Sequence, residues 1–197
     1  MLSKSERTKQ FIIEKTAPVF NRKGYAGTSL NDLTSATGLT KGSIYGNFDN
    51  KDDVALAAFD HNFQQVVTYL KVRMDARTSI VNKLLIYPET YRDFLTLPFL
   101  ESGCPIANTA TEADDTHPLL KEKASKALQY WRGVVERQVK KGIESGELKK
   151  NINVTELVGV LTALIQGGIL HAKVSGKMNY LNTSMDFLER MIKELEE

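Results

Sequence analysis

Apolar positions recur at helical spacing along most of the chain, and nowhere do they alternate as a strand would require. From Lys9 to Phe20 they fall at Ile13, Ala17 and Phe20. Pro18 removes the bond to the Glu14 carbonyl and predicts a bend, and Gly24 supplies a stop. Two short helices follow. Ser29 with Asp32 makes a capping-box variant before Leu30, Leu33 and Ala36, and Gly38 ends that helix. Thr40 caps the next, whose Ile44 and Phe48 point inward at i, i+4, and Asn50 caps a longer helix from Lys51. Further helices are predicted over residues 51–75, 79–98, 106–114, 118–145, 154–174 and 183–196. Asn153 with Glu156 and Thr183 with Asp186 serve as capping pairs, and Pro88, Pro98 and Pro105 punctuate the middle. The expected fold class is all-α: a three-helix head over residues 1–50 and a helical body over residues 51–197.

Charge sharpens that division. Residues 1–51 carry eight Lys or Arg against four acids, a net +4, which leaves 18 bases and 20 acids, or −2, on the remainder. A basic head on a slightly acidic body suits a polyanion at the N-terminus. The polar start Met1-Leu2-Ser3-Lys4 lacks an apolar core for a secretory signal. The greasiest stretch, Leu157 to Leu170, falls short of the ~20 residues that span a bilayer, so a cytoplasmic protein without a membrane partner is expected. Cys104 is the only cysteine, which rules out an intrachain disulfide.

No Ser/His/Asp elbow, phosphate-cradling glycine loop or zinc spacing is present. His61, His117 and His171 are scattered, and Glu112, Asp114 and Asp115 read as a solvated acidic loop. No enzyme, cofactor or metal is expected.

The informative stretch runs from Gly24 to Lys51. Two short helices joined at a glycine have the form of a helix-turn-helix, whose second helix enters the major groove. Read from Thr40 to Phe48, that helix is about 13 Å long, close to the ~12 Å groove width. Its outward residues Lys41, Gly42, Ser43, Gly46 and Asn47 are small or hydrogen-bonding. Lys41 suits guanine acceptors, and Ser43 or Asn47 suit base edges or phosphates. Thr28, Thr40, Tyr45 and Lys51 complete the expected DNA contacts, with Thr28, Tyr45 and Lys51 as phosphate clamps.

Gly24-Tyr25, Thr28, Leu33, Gly38, Tyr45, Phe48 and Lys51, at these spacings, resemble the DNA-binding signature of the TetR family of repressors. The resemblance covers about 45 residues, from near Lys9 to Val54. Thr34 and Thr37 depart from it where the family often has alanine, and Gly46 where a bulkier aromatic or histidine is common. It implies a dimeric repressor that binds a palindromic operator and is released by a small-molecule effector.

The body offers material for both roles. Gly159, Ala163 and Gly167 form a small-residue stripe every fourth position, and Leu181, Met185, Leu188, Ile192 and Leu195 a short heptad seam. Both are expected to pair with their twins in a homodimer. Phe94, Tyr130, Trp131, Thr162 and Gln166, with Cys104 nearby, are the candidates for an effector pocket. Cys104 has no basic neighbour in sequence and reads as an inert thiol. The alternatives are a helical small-molecule-binding protein, or an interaction module, without DNA binding.

Overall fold

Ser3 opens the first helix. Its hydroxyl accepts the Glu6 N–H at 3.2 Å, and the Glu6 carboxylate accepts the Ser3 N–H at 2.7 Å, so two donors of the free helix end are satisfied reciprocally. The computed structural model describes residues 3–197; Met1 and Leu2, which begin the polar start, lie outside the described residues. Nine α-helices follow in order among these: α1 Lys4–Lys23, α2 Leu30–Thr37, α3 Lys41–Tyr45, α4 Lys51–Asp75, α5 Ile80–Arg92, α6 Pro105–Ala113, α7 Pro118–Ser145, α8 Val154–Ser175 and α9 Asn179–Lys193, with a 3₁₀ turn at Phe94–Thr96. The only extended pairing in the described residues is an isolated bridge between Leu148 and Glu196. The chain is all-α.

The caps sit where local chemistry places them. Ser29 and Asp32 close a reciprocal box on α2, and Gly38 ends it in the left-handed region at φ 68°. Asn50 accepts the Asp53 N–H at 2.9 Å at the head of α4, and Asn153 accepts the Glu156 N–H at 3.2 Å at the head of α8. Pro18 sits on the exposed side of α1, which runs through it unbroken.

Two expectations need correction. The helix expected over 79–98 stops at Arg92: Asp93 leaves helical geometry, a 3₁₀ turn follows at Phe94–Thr96, and Leu97, before Pro98, is extended. The last helix starts at Asn179 rather than 183. Left-handed Gly176 ends α8 early enough for α9 to begin there, and the Thr183 hydroxyl donates to the Asn179 carbonyl instead of capping. Helix α8 matches the expected span to within a residue; by length and composition alone it is apolar enough to cross a membrane, and 44% of its most apolar window is buried in the chain itself.

The chain gathers into two compact units. The first comprises Met1–Val66 with Pro105–Ala127, the second Val67–Cys104 with Leu128–Glu197. The first therefore takes in α6 and the start of α7 besides the first fifty residues. Its core includes Ile12, Ala17, Phe20, Leu33, Ile44 and Phe48. Ile13, expected there, is only half-buried, because Ile12 and Thr16 occupy the inward face.

In the second unit α9 packs on α5 and α8 through Leu181, Met185, Leu188 and Ile192, all 0% exposed. A Cβ on Gly168 would collide with Leu181, so this glycine allows α9 its approach. At about 1.5–3 kcal/mol for each fully buried side chain, this seam is a main contributor to the unit's own core. It is not free to meet a twin, which corrects the expected dimer seam. Leu195, beyond the end of α9, is half-buried.

Candidate nucleic-acid interface

The second helix of the helix-turn-helix is shorter than its sequence pattern suggests: α3 spans five residues, with Gly46 as its C-cap. Thr40 caps it by accepting the Ser43 N–H at 3.2 Å. Ile44 and Phe48 are buried and hold the helix on the core, which leaves Thr40, Lys41, Gly42 and Gly46 exposed along one edge and Ser43, Tyr45 and Asn47 half-exposed. No atom lies within 4 Å of where a Cβ on Gly42 would stand, so packing does not require glycine there.

Asn47 is held from two sides. Its Nδ2 donates to the Ser43 carbonyl at 2.9 Å, and its Oδ1 accepts the hydroxyl of Ser5, 42 residues earlier on α1, at 3.3 Å. These two bonds leave the second amide N–H available to another acceptor.

Thr28 is placed differently from expectation. It is fully buried, and its hydroxyl donates to the Gly24 carbonyl at 2.6 Å. It locks the turn between α1 and α2 and is withdrawn from the phosphate contacts.

That turn is gripped from α6, by Glu112, which the sequence suggested was only solvated, and by Asn108. The two oxygens of Glu112 on α6 accept the N–H groups of Tyr25 and Ala26 at 2.7 and 2.8 Å. Gly24, at φ 72°, has to be glycine twice over, since a Cβ there would also run into that carboxylate. Asn108 on α6 donates to the Asn21 carbonyl at 3.0 Å.

Tyr25 is the hub. Its hydroxyl donates to Asp52, and Lys51 Nζ sits 4.2 Å from its ring centroid, a cation–π contact that aims the expected phosphate clamp. His117 meets the ring edge-on at 4.5 Å. The bond to Asp52, then burial, then the Asp52 charge push the Tyr25 hydroxyl up to about 12. His117 is buried, and its Nδ1 accepts the Leu120 N–H at 3.3 Å, capping α7. Asp114 and Asp115 are exposed, as a solvated acidic loop requires, whereas Glu112 is half-buried against the turn and His117 is buried. Long-range acceptors for backbone amides leave no local pattern, and the only hint was the run of acids before a histidine.

In the second unit Phe94, Cys104, Trp131 and Thr162 are buried, and Gln166 is half-buried. Tyr130 is 50% exposed, about 100° around α7 from buried Trp131, so it is not one of the buried members of the cluster. Thr162 spends its hydroxyl on the Val158 carbonyl at 2.9 Å. The Gln166 amide N–H donates to the Cys104 thiol at 3.1 Å. Tyr87 and Tyr91, one turn apart on α5, complete the cluster at 6.2 and 6.1 Å from the Trp131 ring. Their i, i+4 spacing was visible in the sequence. No group of three or more His, Cys, Asp or Glu among the described residues is arranged to hold a metal.

A basic, all-helical chain that presents a capped short helix from a helix-turn-helix is a DNA-binding protein of the transcription-regulator class. Residues 12–58 match the model of bacterial regulatory proteins of the tetR family, and residues 81–188 match the tetracyclin repressor-like C-terminal domain. A TetR-family regulator from Cytophaga hutchinsonii shares 46% identity, covering 100% of this chain and 98% of that one, with a TM-score of 0.95. The repressor DhaR of Mycobacterium sp. (strain GP1) is 25% identical over 169 residues, 84% of this chain and 82% of its own. A cysteine mutant of CifR, solved with 26-bp operator DNA, shares the fold at TM-score 0.78 and 21% identity, covering 96% of each chain. The chain belongs to the TetR family of transcriptional regulators.

Proposed function

We propose that this regulator is a dimeric repressor that holds a palindromic operator through two copies of α3 and releases it when a small molecule enters the second unit. The observation that carries the reading is the exposed edge of Thr40, Lys41, Gly42 and Gly46, with Ser43 and Asn47 beside it, on a helix anchored by Ile44 and Phe48. Small residues let the backbone approach the bases, Lys41 reads guanine, and Tyr45 and Lys51 clamp phosphates. The DNA-bound CifR mutant and the repressor DhaR support the same assignment.

A partner copy fits the faces of α8 and α9 that a single chain leaves open. Gly159 and Gly167 have nothing within 4 Å of a Cβ, Ala163 is exposed between them, and Val160, Leu170 and Val174 lie exposed on the same helix. Tyr180 and Phe187 are the exposed apolar residues of α9. An apolar patch of this kind on a DNA-binding protein supports a homodimer, which also matches the two-fold symmetry of a palindrome. The effector site is assigned to the cluster of Phe94, Cys104, Trp131, Thr162 and Gln166, and the protein to the cytoplasm, where its DNA is.

A mobility shift with the duplex upstream of the gene itself or its neighbour tests the reading. The protein binds it, and affinity falls steeply with added salt because phosphate contacts dominate. Binding that ignores salt, or no binding to any such fragment, refutes the reading and favours a helical carrier.

A further inference from the structure

We infer that His117, just ahead of α7, is a positioning residue for DNA binding: its ring fixes the rotation of Tyr25, whose face holds the Lys51 ammonium in place for a phosphate. The inference rests on the reading that Lys51 contacts a phosphate, and it extends that contact to a residue far along the chain.

A lysine side chain is long and rich in rotamers, so ordering it against a phosphate costs entropy. In the first unit the Lys51 ammonium is already placed, 4.2 Å from the Tyr25 ring centroid. A cation–π contact is made to the face of a ring, so the rotation of Tyr25 decides whether the ammonium is held.

The hydrogen bonds of Tyr25 fix its axis and leave that rotation open. Its backbone N–H donates to Glu112 at 2.7 Å, and its hydroxyl donates to Asp52. Both ends of the line from Cβ to the hydroxyl oxygen are thereby pinned. The ring can still rock about this line without breaking either bond, and χ2 of tyrosine has only a broad preference of its own. His117 supplies the missing restraint. The two centroids are 4.5 Å apart with the planes at 79°, the close end of an edge-to-face contact. Turning Tyr25 about its axis would disrupt that packing.

The imidazole is itself firmly mounted. The His117 N–H donates to the Ala113 carbonyl at 3.2 Å, and the His117 carbonyl accepts the Lys121 N–H at 3.0 Å. Its Nδ1 accepts the Leu120 N–H at 3.3 Å, and Pro118 takes the first position of α7. This is an N-cap, a place where Ser, Thr, Asp or Asn would serve at least as well. Imidazole also carries a cost there. With Nδ1 as acceptor, the neutral ring keeps its proton on Nε2, and that buried N–H has no hydrogen-bond partner. Asp52 Oδ1, 3.8 Å away, is beyond hydrogen-bond reach and already accepts the Tyr25 hydroxyl. Neither the cap nor Nε2 accounts for a ring at this position; the contact with Tyr25 does.

Two substitutions divide the cap from the ring. His117→Asn keeps a capping acceptor and removes the ring, whereas His117→Phe keeps a ring edge and removes the cap. Each is made alone and with Lys51→Ala, and titrated with the duplex of the mobility shift above. His117→Asn is expected to weaken binding about two- to fivefold, the worth of one exposed cation–π contact. In the Lys51→Ala background it should weaken binding no further, because the contact it supports is gone. His117→Phe should bind within about twofold of the unaltered protein while melting lower for want of the cap. Proton NMR reads the geometry without DNA. The Lys51 ε-methylene protons should lie upfield of those of exposed Lys41, shielded by the Tyr25 face, and move back in His117→Asn.

Full affinity in His117→Asn, an equal loss from it with and without Lys51, or equal weakening by Asn and Phe would each overturn the inference. So would Lys51 protons that resonate like those of Lys41 in the unaltered protein, a result that needs no variant to fold. If Lys51→Ala binds the duplex as tightly as the unaltered protein, the phosphate reading falls and the inference with it. If Lys51→Ala weakens binding and the His117→Asn loss persists beside it, the phosphate reading stands and the inference alone falls.

Discussion

Glu112 and Tyr25 lie 87 residues apart in sequence, yet the carboxylate of one accepts the backbone N–H of the other at 2.7 Å. With the Ala26 N–H on its second oxygen, Glu112 closes the end of α1 that local sequence leaves open. Replacing it with Ala strands two amides and should destabilise the first unit by about 1–3 kcal/mol. DNA affinity should weaken too, since the Tyr25 ring that aims Lys51 is freed. Glu112→Gln, which keeps one acceptor, should fall between. Denaturant titration and mobility shifts on the same samples check this; an unaltered midpoint in Glu112→Ala would show the grip to be unimportant.

Lys41, Lys51 and Thr28 should separate into three behaviours. Lys41→Ala is expected to weaken binding by about 1–3 kcal/mol on the preferred operator and relax base preference at one position. Lys51→Ala should weaken all operators alike and lower the salt slope by about one. Thr28→Val should cost about 1 kcal/mol of stability, by losing the bond to Gly24, with an unchanged salt slope. A reduced slope in Thr28→Val would restore it to the phosphate contacts.

Ser5 should act on base choice through Asn47. Its hydroxyl donates to Asn47 Oδ1 while Asn47 Nδ2 donates to the Ser43 carbonyl, so the amide is held in one orientation. Selection from a randomised duplex pool should return a blurred preference at one base pair for Ser5→Ala, matching the position affected by Asn47→Ala, with Ser5→Thr restoring it. A uniform loss of affinity without altered preference would mean that Ser5 only steadies α1.

Acid should loosen the head through Asp32. The bond from Lys23 at 2.6 Å, then those from the Ser29 N–H and hydroxyl, hold its carboxyl well below the usual carboxylate range. A lowered folded value means the ionised form is favoured by folding. Its contribution is present above the unfolded value of about 3.9 and is lost as pH falls through the lowered folded one. The melting temperature of the wild-type protein should therefore drop below pH ~4 more steeply than that of Asp32→Asn. Parallel curves would rule out the carboxylate as the source.

Charge on the open face of α8 should separate the subunits. Leu170→Asp or Val174→Asp should leave a folded monomer, seen as halved mass in sedimentation, with operator affinity much reduced. Ile192→Asp should instead unfold the second unit, because that side chain is wholly inside one chain. A folded Ile192→Asp monomer would return α9's seam to the subunit interface.

Order along the chain settled a good deal without coordinates. The caps at Ser29, Thr40, Asn50 and Asn153, the stops at Gly24 and Gly38 and the spans of α4 and α7 follow from neighbours within four residues, because helix ends are satisfied locally. The Gly24-to-Lys51 pattern carried the family for the same reason. Partners distant in sequence were decided only by folding. A heptad on α9 reads alike whether it meets a twin or its own α5 and α8, since burial depends on what arrives from elsewhere and not on periodicity. Likewise Thr28 looks like a phosphate ligand until the Gly24 carbonyl claims its hydroxyl, and Glu112 looks solvated until the end of α1 is folded against it.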